Sequence, residues 1–220
     1  MSKDEVILLD FWVSPFAIRA KIALAEKGVE FIAQEENFPE SKSDLLLKSN
    51  PVYKKVPVLL HNGKAVSESS IIVSYIDDAW PTPALFPPCA FGKAEARFWA
   101  DYIDKKVFDG GAKIWRGKGD EVEVAKKEFI ETLKTLEGAL GEKAYFGGDT
   151  FGFVDVILIP LTSWFLGYET YGDFKVEVEA PKITAWVKKC LEKESVSKFY
   201  SEPTKVADFV AMMRKHHGLE

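Results

Sequence analysis

The 220-residue chain predicts two folded parts in series: a small mixed α/β sheet domain over residues 1–81 and an all-helical bundle over residues 92–220. Three observations carry this. Strand-like and helix-like runs alternate up to about residue 80, prolines crowd the next ten positions, and apolar residues then recur at three- and four-residue steps almost to the C-terminus. Four of the eleven prolines fall within residues 81–90, so the stretch 82–91 reads as a stiff linker that cannot be helical.

The elements follow in order. Residues 6–11 form an apolar run of strand length, 15–27 a helix closed by Gly28, and 30–35 a second strand, which together make a β-α-β unit. A helix is expected over 42–49. Val56-Pro57-Val58-Leu59-Leu60, the turn His61-Asn62-Gly63-Lys64 and Ala65-Val66 read as a hairpin, because Asn-Gly between apolar runs supplies two residues that tolerate positive φ. A helix from Ser67 to about Trp80 ends this part. Beyond the linker, helices are expected over 91–115, 122–140, 154–168, 181–193 and 197–215, with glycine clusters between them. No internal repeat or low-complexity segment interrupts either part.

Composition narrows the function. A net charge of −5 provides no basic field for a phosphate backbone, which argues against nucleic acid as a partner. Cys89 and Cys190 are far apart and match neither C-x-x-C nor a metal-ligand spacing, so they read as free thiols in a reducing compartment. His61, His216 and His217 form no metal-binding pattern, and no metal is expected. The apolar run before Asp10 is too short for a signal-peptide core or a membrane span, so a cytoplasmic protein without a membrane anchor is expected.

Ser14 is the most informative position. It sits at a strand-to-helix junction, Phe11-Trp12-Val13-Ser14-Pro15-Phe16, and reads as a helix N-cap with proline in the first helical position. Unpaired first-turn amides and the helix dipole stabilise an anion there, and the hydroxyl adds a donor. Taken alone, Ser-Pro at a strand end is an ordinary cap.

Several motifs in one order resemble the cytosolic glutathione transferases, and within them the plant tau class. They are Trp12-x-Ser14-Pro15-Phe16, the run Ile22 to Gly28, Lys42-Ser43, Asn50-Pro51-Val52-Tyr53-Lys54-Lys55-Val56-Pro57-Val58-Leu59, His61-Asn62-Gly63-Lys64 and Glu68-Ser69. The second half adds Ala96-Arg97-Phe98-Trp99-Ala100-Asp101 and Gly152-Phe153-Val154-Asp155. The resemblance implies a thioredoxin-like N-terminal domain that binds glutathione, an α-helical C-terminal domain that contributes a hydrophobic substrate pocket, and a homodimer. Glutathione is the co-substrate, and no further cofactor is implied.

The resemblance also assigns roles. Ser14 would stabilise the glutathione thiolate as a hydrogen-bond donor, and would not itself be the nucleophile. Val56, before a cis proline, would pair its backbone with the peptide. Glu68 and Ser69 would take the ammonium and carboxylate of the γ-glutamyl head, although on their own they read as a helix start capped by Ser67. Lys42 and Lys55 would face the glycyl carboxylate, where lysines without this context would be solvated surface.

The pocket positions map to Trp12, Phe16, Phe108, Ala112, Trp115, Trp164 and Phe209, residues whose helical spacing also suits a core. Many tau members have tyrosine and arginine at the positions of Phe108 and Ala112, so a wider and less polar pocket is expected. The loop at residues 37–41 is one residue longer than the common tau pattern. Gly152 replaces the usual serine or threonine of a buried capping box whose acid is Asp155.

The expected reaction is attack of the thiolate on hydrophobic electrophiles, as in detoxification and stress response, with reduction of organic hydroperoxides by the same thiolate. A carrier of glutathione or apolar ligands without turnover is the alternative. A thiol oxidoreductase of this superfamily would have cysteine at position 14, and serine there argues against mixed-disulfide chemistry.

Overall fold

A computed structural model describes residues 4–37 and 41–219. The chain divides into two compact units, Met1–Leu85 and Phe86–Glu220.

In the first unit the order is β1 (Val6–Asp10), α1 (Pro15–Glu26), β2 (Ile32–Glu35), α2 (Asp44–Ser49), β3 (Val58–His61), β4 (Lys64–Ser67) and α3 (Ser69–Ala79). The sheet runs β2-β1-β3-β4, with β1 parallel to β2 and antiparallel to β3, and β3 antiparallel to β4. This is the expected thioredoxin-like arrangement. Leu9, Val58 and Leu60 pack with Leu46 of α2 on one face, and strand alternation turns Leu8 and Leu59 the other way, where α1 and α3 pack together. The hairpin forms as the sequence predicts: Asn62 and Gly63 take φ 51° and 76°, the twist a two-residue hairpin turn requires. Gly28, at φ 64°, closes α1.

A buried ion pair ties the end of this unit down. The Lys27 ammonium donates to Asp77 Oδ1 at 2.5 Å and to the Pro83 carbonyl, and the same Asp77 oxygen accepts the Leu85 N–H at 2.7 Å. Thr82-Pro83 is a second cis bond, beside Val56-Pro57.

The second unit contains α4 (Ala90–Ile103), a π-helical turn (Asp104–Phe108), α5 (Asp109–Arg116), α6 (Asp120–Leu140), α7 (Phe153–Leu158), a 3₁₀ segment (Ile159–Trp164), α8 (Phe165–Gly172), α9 (Val176–Glu179), α10 (Pro181–Leu191), α11 (Glu194–Ser197) and α12 (Pro203–His216). Ala90, placed in the linker by the proline count, already belongs to α4.

Three long periodic runs are broken where the sequence pattern alone reads as continuous. The run 91–115 carries a π-helical turn, which inserts one residue into the helical phase. Pro160 has no N–H for an α-helical bond, and the run 154–168 tightens there into 3₁₀ geometry. The helix predicted from Ser197 starts instead at Pro203, in the first helical position that proline favours.

Asp155 organises the middle of this unit. Its fully buried carboxylate accepts the N–H of Gly152 and of Phe146 at 2.9 Å and the indole N–H of Trp186 at 2.8 Å. Half of the capping box therefore exists, since Gly152 supplies no side chain to complete it. Burial pushes the Asp155 carboxyl pKa up, against the opposing pull of these N–H bonds.

Among the described residues no helix is long and apolar enough to cross a membrane. Nor do any three His, Cys, Asp or Glu side chains there come together to hold a metal ion.

Candidate glutathione site

Ser14 is positioned from both sides. Its own N–H donates to Phe11 O at 2.8 Å, closing the turn out of β1, and Trp12 N–H donates to Glu35 Oε1 at 3.2 Å, tying that turn to β2. Ser14 is extended (φ −70°, ψ 108°), and its Oγ accepts the Ala17 N–H at 3.3 Å with Pro15 following. The cap uses only the oxygen lone pair. The hydroxyl proton has no acceptor among the described residues, so it remains free to donate to an external anion. No acidic side chain lies in the first turn of α1 to neutralise the helix-start field.

Val56-Pro57 is cis, as the resemblance implies. Asn50, buried at 4 % exposure, builds the loop before it. Its Oδ1 accepts the Tyr53 N–H at 3.1 Å, its Nδ2 donates to Lys55 O at 3.0 Å, and its carbonyl accepts the Lys54 N–H at 2.8 Å. The backbone N–H and C=O of Val56 have no partner among the described residues. A strand-like ligand would complete both.

Ser67 does not cap α3, contrary to the sequence reading. It is the last residue of β4, and Glu68 takes the capping position at φ 72°, ψ 117° without a side-chain cap. Positive φ at a glutamate is strained backbone, and such strain gathers at functional sites. It leaves the Glu68 side chain exposed beside the buried Ser69, whose Oγ accepts from Arg19 Nη1 at 2.9 Å.

Arg19 and Asn50 are the site-building residues that sequence reasoning passed over. Arg19 is fully buried, with its guanidinium 4.9 Å from the Phe16 ring centre. The signal was present: an arginine inside the apolar stripe Ala17-Ile18-Arg19-Ala20 must find a partner, because a lone buried charge is costly.

Lys42 and Lys55 are exposed, and neither makes an ion pair among the described residues. Lys42 directly precedes Ser43, the N-cap of α2, whose Oγ accepts the Leu46 N–H at 3.0 Å. Residues 38–40 of the longer loop lie outside the described residues.

The predicted pocket residues separate by unit. Trp12 (39 % exposed) and the half-buried Phe16 belong to the first. In the second, Phe108, Trp164 and Phe209 form a run of edge-to-face rings with centres 5.8 and 6.1 Å apart, and the π-helical turn ends at Phe108. Trp115 is packed away at 3 % exposure: its ring lies under the Arg116 guanidinium at 4.6 Å and its carbonyl accepts from Arg214. Ala112 is equally closed off at 4 %.

Fold and site together define a thioredoxin-fold protein with an appended helical unit, presenting a serine hydroxyl at the helix start. Comparison with known proteins makes this specific: the chain belongs to the glutathione S-transferase family and falls among its plant tau-class members. Residues 4–78 match the glutathione S-transferase N-terminal domain and 119–189 the C-terminal domain. It is 53 % identical to the probable glutathione S-transferase parC of Nicotiana tabacum over the full length of both chains. It is 54 % identical to glutathione S-transferase U19 of Arabidopsis thaliana, over 96 % of this chain and 97 % of the relative. Among solved structures it is similar to rice GST1 in complex with glutathione, at 50 % identity and TM-score 0.94 over 98 % and 99 % of the two chains. It also resembles the mango tau-class enzyme, at 35 % identity and TM-score 0.88 over 94 % and 98 %.

Proposed function

We propose that this chain conjugates glutathione to hydrophobic electrophiles in the cytoplasm, and that Ser14 activates the thiol. The observation that carries this reading is the Ser14 hydroxyl at the start of α1, its oxygen capping the helix and its proton left to give. The thiol of glutathione, with a free pKa of ~8.5, is mostly protonated at neutral pH, and each unit of depression needs about 1.4 kcal/mol of preferential stabilisation of the anion. One charge-assisted O–H···S⁻ bond and the helix-start field supply roughly one to two units.

The thiol releases its proton to solvent and the thiolate attacks the electrophilic carbon. A C–S bond forms, and the leaving group departs with its electron pair. Val56 pairs with the cysteinyl backbone, Glu68 and Ser69 hold the γ-glutamyl head, and Lys42 and Lys55 attract the glycyl carboxylate. Phe108, Trp164 and Phe209, whose rings pack edge to face in the second unit, supply apolar surface for the electrophile. The same thiolate can reduce organic hydroperoxides. Each unit exposes large apolar residues, Val52 (78 %) and Tyr53 (59 %) in the first, Phe91 (78 %) and Phe98 (59 %) in the second, which supports a homodimer.

Turnover of a nitroaromatic chloride with glutathione, in the native protein and in Ser14→Ala, tests the reading. A loss of one to two orders of magnitude in kcat/KM is expected from removing one anion-stabilising donor. Equal rates would remove Ser14 from the mechanism. No turnover in either, with tight binding of apolar dyes, would make the protein a carrier.

A further inference from the structure

We propose that Glu36 is the residue that positions Lys42 for the glycyl carboxylate, an inference that rests on the role given to Lys42 above. Glu36 lies just beyond β2 and is 5 % exposed. Its N–H donates to the Asp10 carbonyl at 2.8 Å, which fixes it to the end of β1. Its carboxylate grips both donors of one residue: Oε2 accepts the Ser43 N–H at 2.9 Å and Oε1 accepts the Ser43 O–H at 2.7 Å.

That double contact sets the Ser43 backbone and its χ1 together, because the acceptor oxygens are rigidly spaced while the two donors belong to the same residue. Ser43 passes the order on by capping α2 through the Leu46 N–H. Lys42 is one peptide bond upstream, so its side chain starts from a fixed point while its ammonium stays in solvent.

The neighbouring Asp10 is also buried, and Lys21 answers its charge. The end of β1 is thus linked through the Glu36 backbone, and from there through the Glu36 carboxylate, to the start of α2. A buried carboxylate is costly unless its oxygens are hydrogen-bonded, and both Glu36 oxygens depend on Ser43 for that, which ties the loop to this one placement. Lys42 is the binding residue which that placement serves.

The test uses the full chain and two ligands, glutathione and its glycyl monoethyl ester, which lacks the carboxylate. Binding is measured by calorimetry for the native protein, Lys42→Ala, Glu36→Gln and Ser43→Ala, with KM and kcat determined separately. The native protein should prefer glutathione, and Lys42→Ala should erase the preference. Glu36→Gln should weaken glutathione binding about tenfold, as expected for one displaced charge-assisted contact. It should leave ester binding within about twofold, so that KM for glutathione rises more than kcat falls. Ser43→Ala removes only the 2.7 Å contact and the cap, and should shift the preference in the same direction.

If Lys42→Ala erases the preference while Glu36→Gln and Ser43→Ala keep it, or weaken both ligands equally, the positioning role of Glu36 is overturned and the reading of Lys42 stands. If Lys42→Ala keeps the preference, the reading of Lys42 falls, and this proposal with it.

Discussion

Arg19 Nη1 donates to Ser69 Oγ at 2.9 Å, joining two residues fifty positions apart in the chain. The buried face of α1 thereby fixes the first turn of α3, next to the strained Glu68. Arg19→Met should cost about 2–3 kcal/mol in urea unfolding, the usual worth of a buried hydrogen bond from a charged donor. It should also raise KM for glutathione with little change in KM for the electrophile. An unchanged KM for glutathione would mean that Ser69 is placed without Arg19.

The buried Lys27–Asp77 pair should behave asymmetrically. Asp77→Leu leaves the Lys27 ammonium without its counter-charge at zero side-chain exposure and should cost roughly 3–5 kcal/mol, whereas Lys27→Met with Asp77→Leu should cost far less because no charge remains unanswered. Urea unfolding of the two single variants and the double variant, read as a cycle, checks this. Additive losses would show that the pair is not coupled.

Asp155 satisfies three N–H donors from Phe146, Gly152 and Trp186. Asp155→Ala orphans all of them in a dry interior, where each unsatisfied group costs ~1–3 kcal/mol, so a loss of at least about 3 kcal/mol is expected. Thermal unfolding measures it directly. A loss below about 1 kcal/mol would mean that water or backbone shifts replace the carboxylate.

The legible parts of this protein were those decided locally. Asn62-Gly63 specifies a hairpin turn by its own backbone preferences, and Ser14-Pro15 specifies a helix start, so both could be placed from a few residues. The elements that broke the pattern depend on tertiary packing or on single residues that periodicity outweighs. The π-helical turn before Asp109 leaves no mark in the spacing of apolar residues, while Pro160 and Pro203 were visible breakers inside runs that otherwise looked helical. The capping of α3 was misassigned because Ser67 has the right chemistry. Its neighbours Lys64, Ala65 and Val66 nevertheless carry it into β4, and Glu68 takes the strained position instead. Arg19, Asn50 and Glu36 work through partners distant in sequence or across a loop, which composition and spacing do not encode.

The two thiols should differ sharply. Cys89 is exposed, whereas Cys190 is fully buried and its thiol is pushed up from the ordinary range, chiefly by burial. Titration with a disulfide reagent near pH 8 should label one thiol per chain in the native protein and two after denaturation. Rapid labelling of both in the native state would place Cys190 in a region that opens easily.

The central claim concerns the sulfur of bound glutathione, and its thiolate absorbance followed against pH tests that claim most directly. In the native protein the bound thiol should titrate one to two units below the free value of ~8.5. In Ser14→Ala, with glutathione still bound, the midpoint should return toward that of the free thiol. The same depressed midpoint in both proteins would contradict the assignment of Ser14 as the donor that holds the anion.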